Sequence, residues 1–220
     1  MKHDQAEKLR EMARVRDSRP ARKVRIIAVS SGKGGVGKSN LSVNLGITFA
    51  QMGRRTVVLD GDFGLANVNI LLGIIPKYTI SAVLKGQKTL KDILIETPSG
   101  MKIIAGASGL AELADVGDQE KDLLIDQFDE FNVYDIMIID TGAGISRNVV
   151  DFVMIADEVL VVTTPEPNAI TDAYGLITAI ATRDYEGREA CANLGPCMTG
   201  CAKGAKSSTD VTYWPVALRA

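Results

Sequence analysis

The stretch "SSGKGGVGKSN", residues 30–40, decides the fold. It fits the spacing Gly-x-x-x-x-Gly-Lys-Ser, with Gly32, Gly37, Lys38 and Ser39 at the defining positions. An apolar, β-branched run precedes it, and a helix-forming run follows it and stops at Gly53. Glycines let backbone N–H groups converge on phosphate oxygens, and a helix N-terminus adds positive potential. This context favours a phosphate-binding loop over the alternative, a tight turn between strand and helix.

The residues of this loop have predicted roles in holding a nucleotide. Lys38 neutralises the β- and γ-phosphates, and the Ser39 hydroxyl is a Mg²⁺ ligand. We expect nucleotide contacts from Gly32, Gly34, Gly35, Val36, Gly37, Lys38, Ser39 and Asn40. Lys33 is a second lysine that the pattern does not require. A second cation among phosphates needs a nucleotide charge or a carboxylate, and the alternative is an exposed loop lysine.

Acidic residues end two of the predicted strands. Asp140 closes "YDIMIID", where a buried charge is costly unless it serves a purpose such as holding Mg²⁺ through water. Asp60 and Asp62 lie in "VVLDGDFGLANVN", two residues apart, and therefore share a strand face. One of them could orient an attacking water beside a γ-phosphate. The alternatives are a plain strand-end aspartate at position 140 and Asp-Gly turn formation at positions 60 and 62.

Strand and helix patterns alternate along most of the chain. Strands are predicted over residues 24–31, 55–62, 101–108, 134–144 and 158–167, and helices over 39–53, 78–86, 118–131 and 168–181. The third helix should bury Leu123, Leu124, Phe128 and Phe131. The last should carry one apolar stripe of Ile170, Ala173, Tyr174, Ile177 and Ala181. The order predicts an α/β fold of the P-loop NTPase type, with a mostly parallel sheet covered by helices on both faces.

Composition and charge set the domain organisation. The chain has 220 residues, 46% of them hydrophobic, enough for one packed domain, predicted over residues 23–182. Residues 1–25 hold nine Lys/Arg and four Asp/Glu, a net +5 that leaves −7 for the rest of a chain with formal charge −2. Residues 1–22 are therefore predicted to be a basic helical arm. Its counterpart would be an acidic partner, nucleic acid or an anionic membrane, and the alternative is a solvated terminus.

The last segment, residues 183–220, follows no helical or strand period and is predicted to be a poorly ordered tail. It holds Cys191, Cys197 and Cys201, whose spacing matches structural zinc sites poorly. No apolar run reaches the ~20 residues that span a bilayer, and residues near the start lack the apolar core of a secretory signal. We expect a cytoplasmic chain with reduced cysteines.

These motifs resemble those of the MinD/ParA ATPases. "KGGVGKS" is similar to that family's deviant Walker A motif, "VLDGDFGLANVN" to its second aspartate motif, and "IIDTGAG" to its Walker B motif. Within the family, "DQAEKLREM", "DTGAGIS" and "TTPEPNAITDAYGLI" resemble the flagellar-number regulators of the FlhG branch, also called FleN or YlxH. The resemblance covers residues 4 to about 182.

The resemblance implies an ATPase that uses Mg²⁺ and forms a homodimer when ATP is bound. Lys33 would cross the dimer interface to the partner's nucleotide, and Asp62 would position the hydrolytic water. Asp60 would lie on the Mg²⁺ side, and Asp140 would support the metal. The arm, through Gln5, Leu9 and Arg10, would engage a GTPase of the FlhF type and stimulate it. Such a protein would control flagellar number and placement, and would be peripheral at the cytoplasmic face of the inner membrane or at the cell pole.

The chain departs from the family after residue 182. An adenine-contacting strand end with Asn and a C-terminal lipid-binding amphipathic helix are not found, so we expect the C-terminal strands to be missing, by truncation or frameshift. The alternative functions are a division-site ATPase of the MinD type, a partition ATPase of the ParA type, or a binding module that acts only through the arm. No specific nucleic acid is expected, because nonspecific DNA binding needs a basic body and this body carries −7.

Overall fold

The computed structural model describes residues 24–107 and 127–181. Strands and helices alternate over most of these residues. In chain order the elements are β1 (Arg25–Ser31), α1 (Lys38–Gln51), β2 (Thr56–Gly61), α2 (Val68–Leu71), α3 (Ile80–Leu84), β3 (Ile95–Glu96), β4 (Lys102–Ile104), β5 (Ile136–Ala143), α4 (Arg147–Ile155), β6 (Glu158–Val161) and α5 (Pro167–Ala181), with 3₁₀ turns at Lys91–Ile93 and Gln127–Val133.

The strands form one six-stranded sheet in the order β3-β4-β2-β5-β1-β6. All neighbours pair in parallel except β3 and β4, which are antiparallel. Strand β5 lies between β2 and β1, and its Asp140 is in register with Asp60 on one side and Val29 on the other. The carboxyl ends of β1, β2 and β5 therefore meet at one edge of the sheet, where ligands bind in open α/β sheets.

The core lies on both faces of the sheet, because the inner strands are apolar at successive positions. On β2, Val57 and Leu59 pack on one face with residues of α3, α4 and α5, whereas Val58 packs on the other face with Val43 of α1. The predicted fold, a mostly parallel sheet with helices on both faces, is confirmed.

The predicted stripe of α5 is correct at Ala173 and wrong at Ile170 and Tyr174. Its buried residues are Ala169, Ala173, Leu176 and Ile180, and Ile170 and Tyr174 are exposed. The helix is apolar around more than half of its circumference, so periodicity alone does not choose between neighbouring stripes. The choice is made by packing, because small alanines let the helix approach the neighbouring backbone closely.

Other differences concern elements with weak local signals. Helix α4 and the short antiparallel edge strand β3 were not predicted. The described end of the predicted helix 118–131 is a 3₁₀ turn, in which Phe128 and Phe131 are buried as expected. The rest of that helix with Leu123 and Leu124, the arm with Gln5, Leu9 and Arg10, and the tail with its cysteines lie outside the described residues. Among described residues, no helix combines the length and apolar character needed to cross a membrane.

Candidate functional site

The loop between β1 and α1 adopts a conformation that only glycine accommodates easily. Gly35 and Gly37 have φ angles of 79° and 92°, in the left-handed region. Gly37 is the N-cap of α1, and no side chain caps that helix. Within residues 24–107 and 127–181, no backbone N–H from Lys33 to Gly37 donates a hydrogen bond to another protein group. The loop thus presents several backbone donors at a helix N-terminus, an arrangement suited to a phosphate chain.

Gly32 has a second, steric reason to be glycine. A Cβ at this position would lie 2.1 Å from the Asp172 carbonyl carbon and 2.5 Å from the Ala173 nitrogen, both backbone atoms of α5. The first residue of the loop therefore rests directly on a helix that begins far along the chain. This contact also explains why the alanine side of α5 faces inward.

We expect Gly32→Ala to destabilise the nucleotide-free protein by about 1–3 kcal/mol, because the loop and α5 must separate. For a chain of this size, each kcal/mol corresponds to a fall in Tm of about 2–4 °C. Gly34→Ala is the matched control, since a Cβ there meets nothing within 4 Å and its φ is not in the left-handed region. Thermal unfolding followed by circular dichroism measures both. Equal Tm values for the two variants would contradict the steric role of Gly32.

Lys38 and Asp140 form the buried centre of the site. The Lys38 Nζ lies 3.7 Å from Asp140 Oδ1, and both side chains are nearly inaccessible to solvent. Ser42 Oγ donates a hydrogen bond to the same Asp140 oxygen at 2.9 Å. Ser42 follows Lys38 by one helical turn and so lies on the same face of α1. The Asp140 carboxylate is therefore contacted by two side chains of α1, those of Lys38 and Ser42.

Asp60 is fully buried at the carboxyl end of β2, beside Asp140 of β5. Its carboxylate accepts hydrogen bonds from the backbone N–H groups of Asp62, Asn67 and Val68. Burial raises the pKa of Asp60 to about 7, and the negative charge of Asp140 contributes to the same rise, against the lowering effect of the backbone donors. Two buried carboxylates in adjacent register positions favour a cation between or beside them.

Asp62 is half-buried and begins a turn. Its Oδ1 accepts hydrogen bonds from the backbone N–H groups of Gly64 and Leu65. The turn-forming role left open from the sequence is therefore present for Asp62, and Asp60 also organises the following backbone. A carboxylate that anchors a turn through one oxygen keeps acceptor capacity for other partners, so both roles are compatible.

Lys33 contacts Glu166, a residue that the sequence reasoning did not assign to the site. The Lys33 Nζ lies 3.0 Å from Glu166 Oε2, and both side chains are largely exposed. An exposed ion pair of this kind stabilises by about 0–1 kcal/mol, so it restrains Lys33 only weakly. Glu166 lies in "TTPEP", between β6 and α5. The sequence feature that could have identified it is an acidic residue after the carboxyl end of a strand.

Gly106 is a second functional position that sequence reasoning missed. A Cβ there would lie 2.7 Å from the Ala66 Cβ and 3.0 Å from the Asp60 Cγ. Glycine at this position lets the chain after β4 approach the buried carboxylate. The sequence offers only an isolated glycine after a short apolar run, which predicts nothing about the neighbouring strand β2 in the sheet.

The other predicted residues lie in the loop or directly after it. Ser39 and Asn40 are in the first turn of α1, and Val36 is half-buried in the loop. The site thus combines free backbone donors, a buried lysine, a serine hydroxyl and two buried carboxylates. These groups fit a nucleoside triphosphate with Mg²⁺, a hard cation that takes few protein ligands together with water and phosphate oxygens.

Known proteins are similar to this chain in sequence. The antiactivator FleN of Pseudomonas aeruginosa is 45% identical over 163 residues, covering 74% of this chain and 58% of FleN. The flagellum site-determining protein YlxH of Helicobacter pylori is 40% identical over 154 residues, covering 70% of this chain and 52% of YlxH. The chain thus spans little more than half the length of these relatives.

Solved structures are similar to this chain in fold. The septum site-determining protein MinD of Pyrococcus horikoshii, complexed with Mg-ADP, superposes with a TM-score of 0.63 at 26% identity, over 86% of this chain and 78% of that one. The family model described as "AAA domain" matches residues 24–188. The loop geometry, the paired aspartates and these matches together show that the chain belongs to this AAA-domain family, with a phosphate-loop motif of the MinD/ParA type.

Proposed function

We propose that this chain binds ATP with Mg²⁺ and hydrolyses it. The observation that carries the proposal is the buried Lys38–Asp140 pair beneath a glycine loop whose backbone donors have no protein partner among the described residues. Burying a lysine and a carboxylate together is costly, and a fold retains such a pair where a ligand uses it. The Mg-ADP complex of the related MinD supports the choice of ligand.

The residues of the site have separate roles in binding the phosphates, holding Mg²⁺ and positioning water. The loop backbone and Lys38 bind the phosphates, and Ser39 with Asp140 and Asp60 would hold Mg²⁺ directly or through water. The metal, when bound, neutralises charge that develops on the phosphate oxygens. Asp62 orients the attacking water by accepting a hydrogen bond from it. Its turn, closed by hydrogen bonds from the Gly64 and Leu65 N–H groups, holds the carboxylate at the carboxyl end of β2.

Lys33 acts on the nucleotide of a second chain in an ATP-bound homodimer. Its side chain is exposed at the mouth of the site, where among the described residues it forms the weak ion pair with Glu166. Releasing it is inexpensive, and a negatively charged nucleotide on a facing chain would attract it more strongly than an exposed carboxylate. Hydrolysis would then depend on dimer formation. An arginine finger supplied in trans has the same effect in other P-loop enzymes, because their hydrolysis depends on a partner.

The cellular role we propose is control of flagellar number and placement. The H. pylori relative is named as a flagellum site-determining protein, and both it and FleN are more similar to this chain than the MinD of Synechocystis is. The resemblance of the chain's motifs to the FlhG branch supports the same role. The arm, through Gln5, Leu9 and Arg10, would stimulate a GTPase of the FlhF type. The protein would work in the cytoplasm and peripherally at the inner membrane or cell pole.

Flagella counts test this role. The chain is expressed in a bacterium that lacks its own flagellar-number regulator, and flagella per cell are counted by electron microscopy. We expect the count to return toward the normal number with this chain and not with its Lys38→Ala variant. An unchanged count with a folded, expressed chain would contradict the flagellar role.

Division-site selection is the second candidate, because the septum site-determining protein MinD of Synechocystis is 36% identical over 164 residues. The same experiment in a strain without MinD distinguishes the two. Fewer minicells with this chain would favour the division role, and an effect on flagella alone would favour the first.

A further inference from the structure

We propose that an exposed apolar surface beside the site binds an acidic amphipathic segment of a partner protein. The surface, called here the Leu65–Tyr78 surface, consists of Leu65, Ile70, Leu71, Ile75 and Tyr78. Ile75 is 96% exposed, Leu65 76% and Ile70 68%. Single exposed apolar residues are ordinary, but several within one short segment mark an interaction site.

The charge around this surface has one sign. Residues 63–91 contain four lysines and no Asp or Glu. Lys77 and Lys88 lie over the Tyr78 ring, at 5.4 and 5.0 Å from its centroid. The nearest carboxylates along the chain face other partners: Asp62 accepts from Gly64 and Leu65, and Asp92 accepts from Thr89. A partner that matches this surface is apolar on one side and acidic beside it.

The backbone of the surface is fixed at its start by the site. Asp62 holds the N–H groups of Gly64 and Leu65, and Asp60 holds those of Asn67 and Val68. The turn after α2 is closed by the bond from the Ile74 N–H to the Asn69 carbonyl. Apolar side chains on a backbone held in this way lose little conformational entropy when a partner covers them, which favours binding.

Other occupants fit less well. A second copy in a twofold arrangement would bring together two surfaces that both carry positive charge, which is unfavourable. A membrane is bound by long basic amphipathic helices, whereas α2 and α3 are four and five residues long. The Tyr78 ring with Lys77 and Lys88 beside it can contact both the apolar side chains and the carboxylates of an acidic protein helix. The observations therefore favour an acidic protein segment.

The test uses the full 220-residue chain and two fluorescein-labelled synthetic peptides of about 18 residues, or five helical turns. One peptide has leucine on one face and glutamate on the other, and the second replaces each glutamate by lysine. Fluorescence anisotropy measures the affinity of each peptide. We expect the acidic peptide to bind at least about tenfold more tightly than the basic one.

Variants locate the binding. Ile75→Ser and the double variant Lys77→Glu/Lys88→Glu should each weaken acidic-peptide binding about tenfold, and the double variant should prefer the basic peptide. Met52→Ser and Arg54→Glu, also exposed but at the far end of α1, are the controls and should leave affinity unchanged. Circular dichroism confirms that each variant is folded.

Several results would overturn the proposal. Equal affinity for both peptides, or equal losses in the surface and control variants, would show that the surface does not select acidic segments. Sedimentation with phosphatidylglycerol vesicles that Ile75→Ser abolishes, without a peptide preference, would assign the surface to a membrane. Self-association that Ile75→Ser abolishes, again without a peptide preference, would assign it to a second copy.

Discussion

Replacing Lys38 with alanine should lower the affinity for Mg-ATP by at least about 100-fold. The lysine supplies charge-assisted hydrogen bonds to phosphate, each contributing about 1.5–3 kcal/mol, so losing two of them costs two or more orders of magnitude in Kd. The side chain is already buried under the loop and beside Asp140, so little ordering entropy opposes its use. Isothermal titration calorimetry with a non-hydrolysable ATP analogue measures the change.

A second variant separates binding from folding. Lys38→Ala also leaves the buried Asp140 without its cation, and we expect a loss of about 1–3 kcal/mol in the free energy of unfolding. Adding Asp140→Asn removes this charge and should recover most of that stability. The double variant should still bind ATP poorly. Recovery of affinity together with stability would mean that Lys38 serves the fold alone.

Lys33→Ala should leave ATP affinity within about threefold and lower kcat by about 10³-fold or more, the size expected for a cation supplied in trans. The reason is geometric, because Lys33 points along the surface to Glu166 and not into its own buried centre. Single-turnover hydrolysis of radiolabelled ATP measures the rate. Glu166→Ala is the matched control, since it frees Lys33 without removing it, and should not lower the rate.

Mixing two inactive variants tests whether Lys33 acts in trans. Lys33→Ala and Asp62→Ala are each expected to be inactive as homodimers. In a mixed dimer the chain that lacks Lys33 keeps Asp62 and receives Lys33 from its partner, so one of the two sites works. Equal mixing should then restore about a quarter of the native activity. No recovery from dimers shown to be mixed would place Lys33 in cis.

The geometry of the glycine loop could be predicted from the sequence because its signals are local. Gly32 to Ser39 lie within one strand–loop–helix unit, and the spacing alone determines which side chains reach the phosphates. Asp60 and Asp140 were also predictable, since each is a charge at the end of an apolar strand and parallel strands end at the same sheet edge.

Residues that serve the site across long sequence separations were not predictable. In the sequence Ser42 has no feature that distinguishes it from other helical serines. Its contact with Asp140 follows from the packing of α1 against β5. Gly106 and Glu166 act on partners reached only through the sheet order and the turn after β6. The inward face of α5 was predicted one position away, because its packing against Gly32 depends on close backbone approach and not on hydrophobicity.

We propose above all that the described residues form a nucleotide site able to work in a dimer. The most direct measurement is the binding of a fluorescent ATP analogue with Mg²⁺ to the 220-residue chain, with molecular mass followed in parallel by light scattering. We expect saturable binding with a shift from monomer to dimer mass, and neither of these in the Lys38→Ala variant. A folded chain that does not bind the analogue would contradict the proposal.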